Sequence, residues 1–237
     1  MKLSAPIYAL KREAKALSRQ QNIPLHAALD RIAVREGFSA WSLLAANAVS
    51  TLGPDELFAR LEPGDLLLLG ARPGQGKTMM SLRIAAEAMK AGRRAVFFTL
   101  DYAPREVEDR FRRIGEDPAR FGDLFAFDCS EAIGDSHIID RLAGAPRGTV
   151  AVIDYLQLLD QRRDTPELMQ QVRALKTFAR ERGITFIFLS QIDRAYNPAA
   201  KPCPDIEDVR LPNPLDLALF DKTCFLHGDE LRFAATR

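Results

Sequence analysis

The stretch Leu66-Leu-Leu-Leu-Gly-Ala-Arg-Pro-Gly-Gln-Gly-Lys-Thr78 constrains the fold more than any other part of the chain. Its four leucines suit a strand buried on both faces, and after a glycine-rich turn a helical pattern runs from Thr78 to Ala91. A strand of that kind, handing over at once to a helix, belongs in a parallel sheet with helices on either side. The turn also carries a chemistry. Gly74 and Gly76 let it bend so that backbone N–H groups face inward as an anion nest. Lys77 is placed to reach the β- and γ-phosphates of a nucleotide, and Thr78 offers a hydroxyl to Mg²⁺. The helix dipole adds positive potential at the same spot. The G-x-x-x-x-G-K-[ST] pattern asks for glycine at position 71; this chain has Ala71, with Gly70 one place early.

From Gly64 onward, short apolar runs alternate with helical ones. Strands are expected at Asp65–Ala71, Arg94–Leu100, Leu124–Phe127, Thr149–Asp154 and Ile184–Ser190. Helices are expected at Thr78–Ala91, Pro104–Ile114, Asp135–Leu142 and Thr165–Arg182, and a terminal hairpin about His227-Gly228-Asp229. This is a doubly covered α/β sheet, in which ligands bind beyond the carboxyl ends of the strands. Residues 1–50 read differently, as three short helices at Tyr8–Gln20, Leu25–Arg35 and through Trp41, with Gly37 as a stop and Ser39 as a cap. They carry seven Lys or Arg (Lys2, Lys11, Arg12, Lys15, Arg19, Arg31, Arg35) against Glu13, Asp30 and Glu36, so this module suits DNA or a docking partner protein. Residues 51–63 read as a linker and 64–237 as the α/β domain.

Composition narrows the setting. A net charge of +1 argues against the whole molecule acting as a magnet for nucleic acid. Cys129, Cys203 and Cys224 are odd in number and form no C-x-x-C pair, and His26, His137 and His227 are scattered, so free thiols in a reducing compartment are expected rather than zinc. The N-terminus lacks a signal-like apolar core and no run approaches the ~20 residues of a membrane helix, so a cytoplasmic protein without membrane contact is expected.

Three strand ends complete a candidate site. Thr149-Val-Ala-Val-Ile-Asp154 is an apolar strand ending in a carboxylate, the oxygen ligand that Mg²⁺ needs near the phosphates. Ala95-Val-Phe-Phe-Thr-Leu leads to Asp101, a carboxylate able to orient and deprotonate an attacking water. Thr185-Phe-Ile-Phe-Leu-Ser190 leads to Gln191, whose amide suits contact with a γ-phosphate.

Three segments together, Ala71–Thr78, Val152-Ile-Asp-Tyr-Leu-Gln-Leu-Leu159 and Leu189-Ser-Gln-Ile-Asp-Arg194, resemble the RecA-type motor domain of the DnaB family of replicative helicases. Asp-Tyr-Leu-Gln-Leu after the metal-side aspartate is the distinctive part, and the family similarly tolerates alanine where Ala71 stands. Phe97–Tyr102 is similar to the segment that supplies the family's catalytic glutamate. The resemblance covers roughly residues 60 to 227 and implies a RecA-like P-loop NTPase fold. It implies ATP and Mg²⁺ held by Ala71, Arg72, Pro73, Gly74, Gln75, Gly76, Lys77 and Thr78, with Thr78 and Asp154 on the metal. It further implies Asp101, Lys77 and Gln191 as the catalytic group, a hexameric ring of identical subunits, and single-stranded DNA in its centre.

The chain departs from that pattern in three ways. Aspartate replaces glutamate at position 101. No residue is singled out as an arginine finger among Arg194, Arg210, Arg232 and Arg237. The loop from Asp193 to Pro214 sets Arg194, Lys201 and Arg210 against Asp193, Asp205, Glu207 and Asp208. Its five prolines point to an extended, stiff segment. The loop after Asp154 sets Arg162 and Arg163 against Asp160 and Asp164. Mixed charge gives phosphate-backbone binding little to run on. Two further readings therefore stand beside a DNA motor: a KaiC- or RadA-like switch ATPase without unwinding, and a nucleotide-binding scaffold with little turnover.

Overall fold

A computed structural model describes residues 3–5, 7–47, 52–131, 133–160, 167–201, 203–211, 213–228 and 230–235. Lys2, Thr51, Arg162, Arg163, Asp164, Thr165, Pro202, Pro212, Asp229 and Arg237 lie outside the described residues. The chain forms two compact units, residues 1–53 with 228–231 and residues 54–227 with 232–237.

In the first unit, α1 (Ile7–Gln21), α2 (Leu25–Arg35) and α3 (Trp41–Asn47) bury Leu10, Ala14, Ala28, Ile32, Ala33 and Leu44. Leu10 and Ala14 lie four residues apart on α1, as Ala28 and Ile32 do on α2, so each of these helices turns one stripe to the core. α2 ends in a left-handed Gly37, with φ 86°. Gly37 N–H donates to Val34 C=O at 3.0 Å and Phe38 N–H to Ala33 C=O at 2.9 Å, the paired bonds of a Schellman stop. The sequence points to Ser39 as the cap of α3, but Trp41 N–H donates to the Asp30 carboxylate of α2 at 2.9 Å. A longer-range acceptor thus takes the local one's place.

The second unit runs α4 (Pro54–Ala59), β1 (Leu66–Ala71), α5 (Lys77–Lys90), β2 (Ala95–Thr99), α6 (Pro104–Arg113) and β3 (Phe125–Asp128). It continues through α7 (Asp135–Leu142), β4 (Val150–Asp154), α8 (Leu168–Arg182), β5 (Thr185–Gln191), β6 (Lys222–His227) and, from residue 232 on, β7 (Glu230–Ala235). The seven strands lie in the order β3-β2-β4-β5-β1-β6-β7, and β1 through β6 pair in parallel. Residues 54–63, read from composition as part of a linker, enter this unit: α4 packs on α5, and Leu57 and Leu61 are buried.

Side-chain parity decides where the site forms. Leu66, Leu68, Val96, Phe98, Ala151, Ile153, Phe186 and Phe188 share one core with α7 and α8. Successive strand residues point to opposite faces, so Leu67, Leu69, Phe97, Val152, Ile187 and Leu189 face the other way, and α5 packs across β1, β2, β4 and β5. Counting on by twos, Ala71, Thr99, Asp154 and Gln191 all end their strands on the α5 side. The register brings them level, pairing Ala71 with Gln191 and Thr99 with Asp154.

Gly70 has a packing role. A β-carbon there would sit 2.7 Å from the Phe225 ring and 3.2 Å from Ile192 Cδ1, so β1 passes beneath these side chains only without one. The glycine that looks one place early for the phosphate loop therefore belongs to the core.

Candidate nucleotide site

Between β1 and α5 the chain turns through Gly74 (φ 78°) and Gly76 (φ 85°), left-handed conformations that side-chain-bearing residues rarely adopt. A β-carbon at either would meet nothing within 4 Å, so backbone conformation is the reason for glycine here. Gly76 offers α5 no side-chain cap, and the helix opens with Met80 N–H donating to Gly76 C=O at 2.9 Å. The first-turn N–H groups of α5 are therefore directed outward with their partial positive charge, the arrangement that takes an anion.

Thr78, in the first turn, donates its hydroxyl to Asp154 Oδ2 at 2.9 Å. Both side chains are buried, Asp154 being 1% exposed. Burial pushes the Asp154 carboxyl up to about 6. The charges of Lys77 and Arg110 and the Thr78 hydrogen bond work against that rise, and the negative charge of Asp101 adds to it. Lys77, Asp101 and Arg110 thus each lie within electrostatic reach of Asp154, near the carboxyl ends of β1, β2 and β4. Asp101 is exposed just past β2, and its N–H donates to Thr99 Oγ1 at 3.1 Å.

Arg110 is a member that sequence reading missed. Its guanidinium carbon lies 3.6 Å from the centre of the Tyr102 ring, next to Asp101, close enough for a cation–π contact. The available signal was helical spacing. Val107 and Phe111 of α6 are buried, which leaves Arg110 on the flank of that helix beside the strand ends.

Gln191 is half-buried at the end of β5. Ile192 N–H donates to Ala71 C=O at 3.2 Å, tying this strand end to the phosphate loop. Gln191 C=O accepts from Arg210 N–H at 2.9 Å and Asp193 N–H donates to Asp208 C=O at 2.7 Å, with Ile192 and Val209 forming an antiparallel bridge between them. This short ladder closes the neck of the loop after β5. Two side chains hold the neck from the nucleotide side. Gln157, three residues past Asp154, donates Nε2 to Arg210 C=O at 2.9 Å. Arg72 of the phosphate loop donates to Arg194 C=O at 3.2 Å and lies over Tyr196 at 5.8 Å. Gln157, like Arg110, was not legible in advance, because its partner is 53 residues away.

Proline content made the 193–214 loop look extended throughout; it is instead anchored to the core at a few buried residues, with exposed stretches between them. Tyr196, Cys203 and Val209 are buried in the main core, with Leu215 just beyond the loop, and Tyr196 hydroxyl donates to Lys201 C=O at 2.7 Å. Lys201 pairs with Asp205 at 2.6 Å and Asp208 at 2.7 Å, while Arg232 pairs with Asp205 at 3.3 Å. Buried apolar residues spaced among the prolines override their stiffness. Of the loop's three cations, Arg194 and Arg210 remain exposed.

A glycine-built anion nest, a buried Thr–Asp pair and a parallel sheet with the site at its carboxyl edge define a P-loop ATPase of RecA fold. The sequence profile of the family described as "ATPase: KaiC" matches residues 51–209, and the chain belongs to this family of ATP hydrolases. Among curated proteins it is 26% identical over 190 residues to the replicative DNA helicase DnaB of Leifsonia xyli, covering 66% of this chain and 41% of that one. It is 25% identical over 213 residues to the DnaB of Pasteurella multocida, covering 75% and 45%. The chain therefore spans less than half the length of these relatives. Among solved structures, one described as an ATPase domain superposes with a TM-score of 0.57 at 20% identity, over 80% of this chain and 81% of that one, a likeness of fold. Among the described residues no helix is long and apolar enough to cross a membrane.

Proposed function

We propose that this chain is a Mg²⁺-dependent ATPase of the DnaB-helicase type that works as a ring of identical subunits on DNA. One observation carries the reading: Thr78 and Asp154 meet at 2.9 Å with Lys77 and Asp101 in electrostatic reach, all at the edge of the sheet where the anion nest opens. The relatives named replicative DNA helicases supply the link to DNA. The 71–78 loop wraps the phosphates with its backbone N–H groups, Pro73 having none to give, and Lys77 sets its charge against the β- and γ-phosphates. Thr78 and Asp154 fit Mg²⁺, because they offer oxygen donors only and because burial resists ionisation of the Asp154 carboxylate more strongly than Lys77 and Arg110 offset it, a cost that a cation bound beside it would relieve. Bound there, the ion supplies neutralisation of phosphate charge. Asp101 orients a water for in-line attack on the γ-phosphorus and takes its proton, releasing ADP and phosphate. Gln191 touches the γ-phosphate, and its loss is passed along the 191–193/208–210 ladder to the loop after β5. With its three cysteines outside any disulfide, the protein suits the reducing cytoplasm.

Steady-state ATPase with and without single-stranded DNA, at low and moderate salt, tests this. Salt-sensitive stimulation supports a motor on DNA. A second reading, a switch ATPase whose nucleotide state controls a protein partner, gains from the internal pairing of Lys201, which removes a cation from the loop that would face DNA. Basal turnover untouched by DNA but raised by a partner protein would replace the first reading with the second.

A further inference from the structure

The first unit segregates its charge. Residues 3–47 contain the acids Glu13, Asp30 and Glu36, and each is committed inside the unit. Arg35 grips Glu13 with two bonds, at 2.5 and 2.9 Å. Glu36 accepts from Ser4 N–H at 2.7 Å and Ser4 hydroxyl at 2.6 Å, and also from Arg35. Asp30 takes the Trp41 N–H. These contacts hold Glu13 and Glu36 below the ordinary carboxylate range, Glu13 chiefly through Arg35 and Glu36 chiefly through Ser4. Arg31 is taken up by Gln21 at 2.5 Å.

The cations of α1 are arranged differently. At about 100° per residue, Lys11, Arg12, Lys15 and Arg19 fall within roughly a 100° arc of the helix. Leu10, Ala14 and Leu17 lie on the far side, in the unit's core. All four cations are exposed, and Arg12, Lys15 and Arg19 have no hydrogen-bond or ion-pair partner among the described residues. The remaining described side chains flanking that arc are Ala16 and Ser18. Among its described side chains this face therefore offers a partner chiefly positive charge, which is what phosphate groups take up. It is a rigid row of cations about 10 Å long, from Arg12 to Arg19 at 1.5 Å per residue, which matches the regularly spaced phosphates of a duplex.

We infer that the Arg12–Lys15–Arg19 face of α1 binds the phosphate backbone of double-stranded DNA, independently of sequence. This extends the DNA-directed reading above to a second surface and does not depend on nucleotide turnover. Three neutralised phosphates give a salt slope of about −2.7, so affinity from this face should fall about 40-fold between 50 and 200 mM salt.

The test is fluorescence anisotropy of the full chain with a labelled 20-base-pair duplex of mixed sequence, at both salt concentrations and without nucleotide. In R12Q/K15Q/R19Q, affinity at 50 mM should drop at least tenfold and the slope should flatten by about 2.7, with melting temperature and basal ATPase unchanged. R12K/K15R/R19K, which keeps the charges, should bind as wild type does. Unaltered duplex binding by the triple glutamine variant would overturn the inference. So would a preference for an equal-length single strand, or binding of anionic lipid vesicles in place of duplex. Loss of DNA-stimulated ATPase with this binding intact would count against the motor reading alone.

Discussion

Asp154→Asn should change how stability depends on pH, and the buried position of this carboxylate sets the size of the effect. In the unfolded chain the carboxyl titrates at its ordinary value of 3.8; in the folded protein burial raises it to about 6. Between those values the folded state holds a proton that the unfolded state has lost. Stability therefore falls as pH rises through that window and levels off above it. A displacement of about 2 units at 1.36 kcal/mol each makes the loss about 3 kcal/mol. An asparagine fits the same space, still accepts from Thr78, and does not titrate. The stability of the variant relative to wild type should therefore rise by about 2 kcal/mol from pH 4 to pH 7, since the unfolded carboxyl is already more than half ionised at pH 4. Urea unfolding of both proteins across that range, with chelator present, measures the difference directly and cancels the other carboxylates. A difference constant to within about 0.5 kcal/mol would refute the claim that Asp154 ionises at a cost. Saturating Mg²⁺ and nucleotide should favour the ionised wild-type carboxylate and shrink the gap.

Asp101→Asn should retain ATP affinity and lose about 10²- to 10⁴-fold in turnover, the usual worth of a positioned base; normal turnover by single-turnover assay would move the catalytic carboxylate elsewhere. Gly70→Ala should destabilise the second unit by about 1–3 kcal/mol through collision with the Phe225 ring, read as a lower urea midpoint. In the Phe225→Leu background the same substitution should cost less, and an additive double-mutant cycle would show that the contact is not the cause. Gln157→Leu should leave ATP affinity intact while amides 193–210 lose any nucleotide-dependent change in hydrogen exchange; unchanged exchange differences would remove Gln157 from the coupling path.

Much of the architecture was legible because it rests on short-range periodicity. The leucine run at 66–69 and the apolar runs before Asp154 and Gln191 have a single burial solution, and each helix sits within a few residues of where its pattern places it. What escaped was whatever depends on partners distant in sequence. Gly70 looked like a displaced loop glycine, because nothing nearby announces that Phe225 will lie over it. Asp30, not the adjacent Ser39, takes the Trp41 N–H because α2 and α3 pack side by side. The prolines of the 193–214 loop point to an extended segment, whereas Tyr196, Cys203 and Val209 anchor it to the core.

The candidate site shows how local and distant information combine. Parity alone puts Ala71, Asp154 and Gln191 on the face of the sheet that carries α5, since each ends an alternating strand whose other residues are already assigned to a side. Parity says nothing of height. Level placement comes from the register, in which Ala71 meets Gln191 and Thr99 meets Asp154, and register is a property of the whole sheet. Slipping β5 by one residue against β1 would turn Gln191 to the α8 side and its neighbour Ser190 toward the phosphate loop. Phe186 and Phe188 would then leave the core they share with Phe220. The packing that fixes the hydrophobic core is therefore the same packing that sets the polar strand ends opposite the phosphate loop, which is why Lys77, Asp101 and Arg110 come within reach of Asp154 without any contiguous motif joining them.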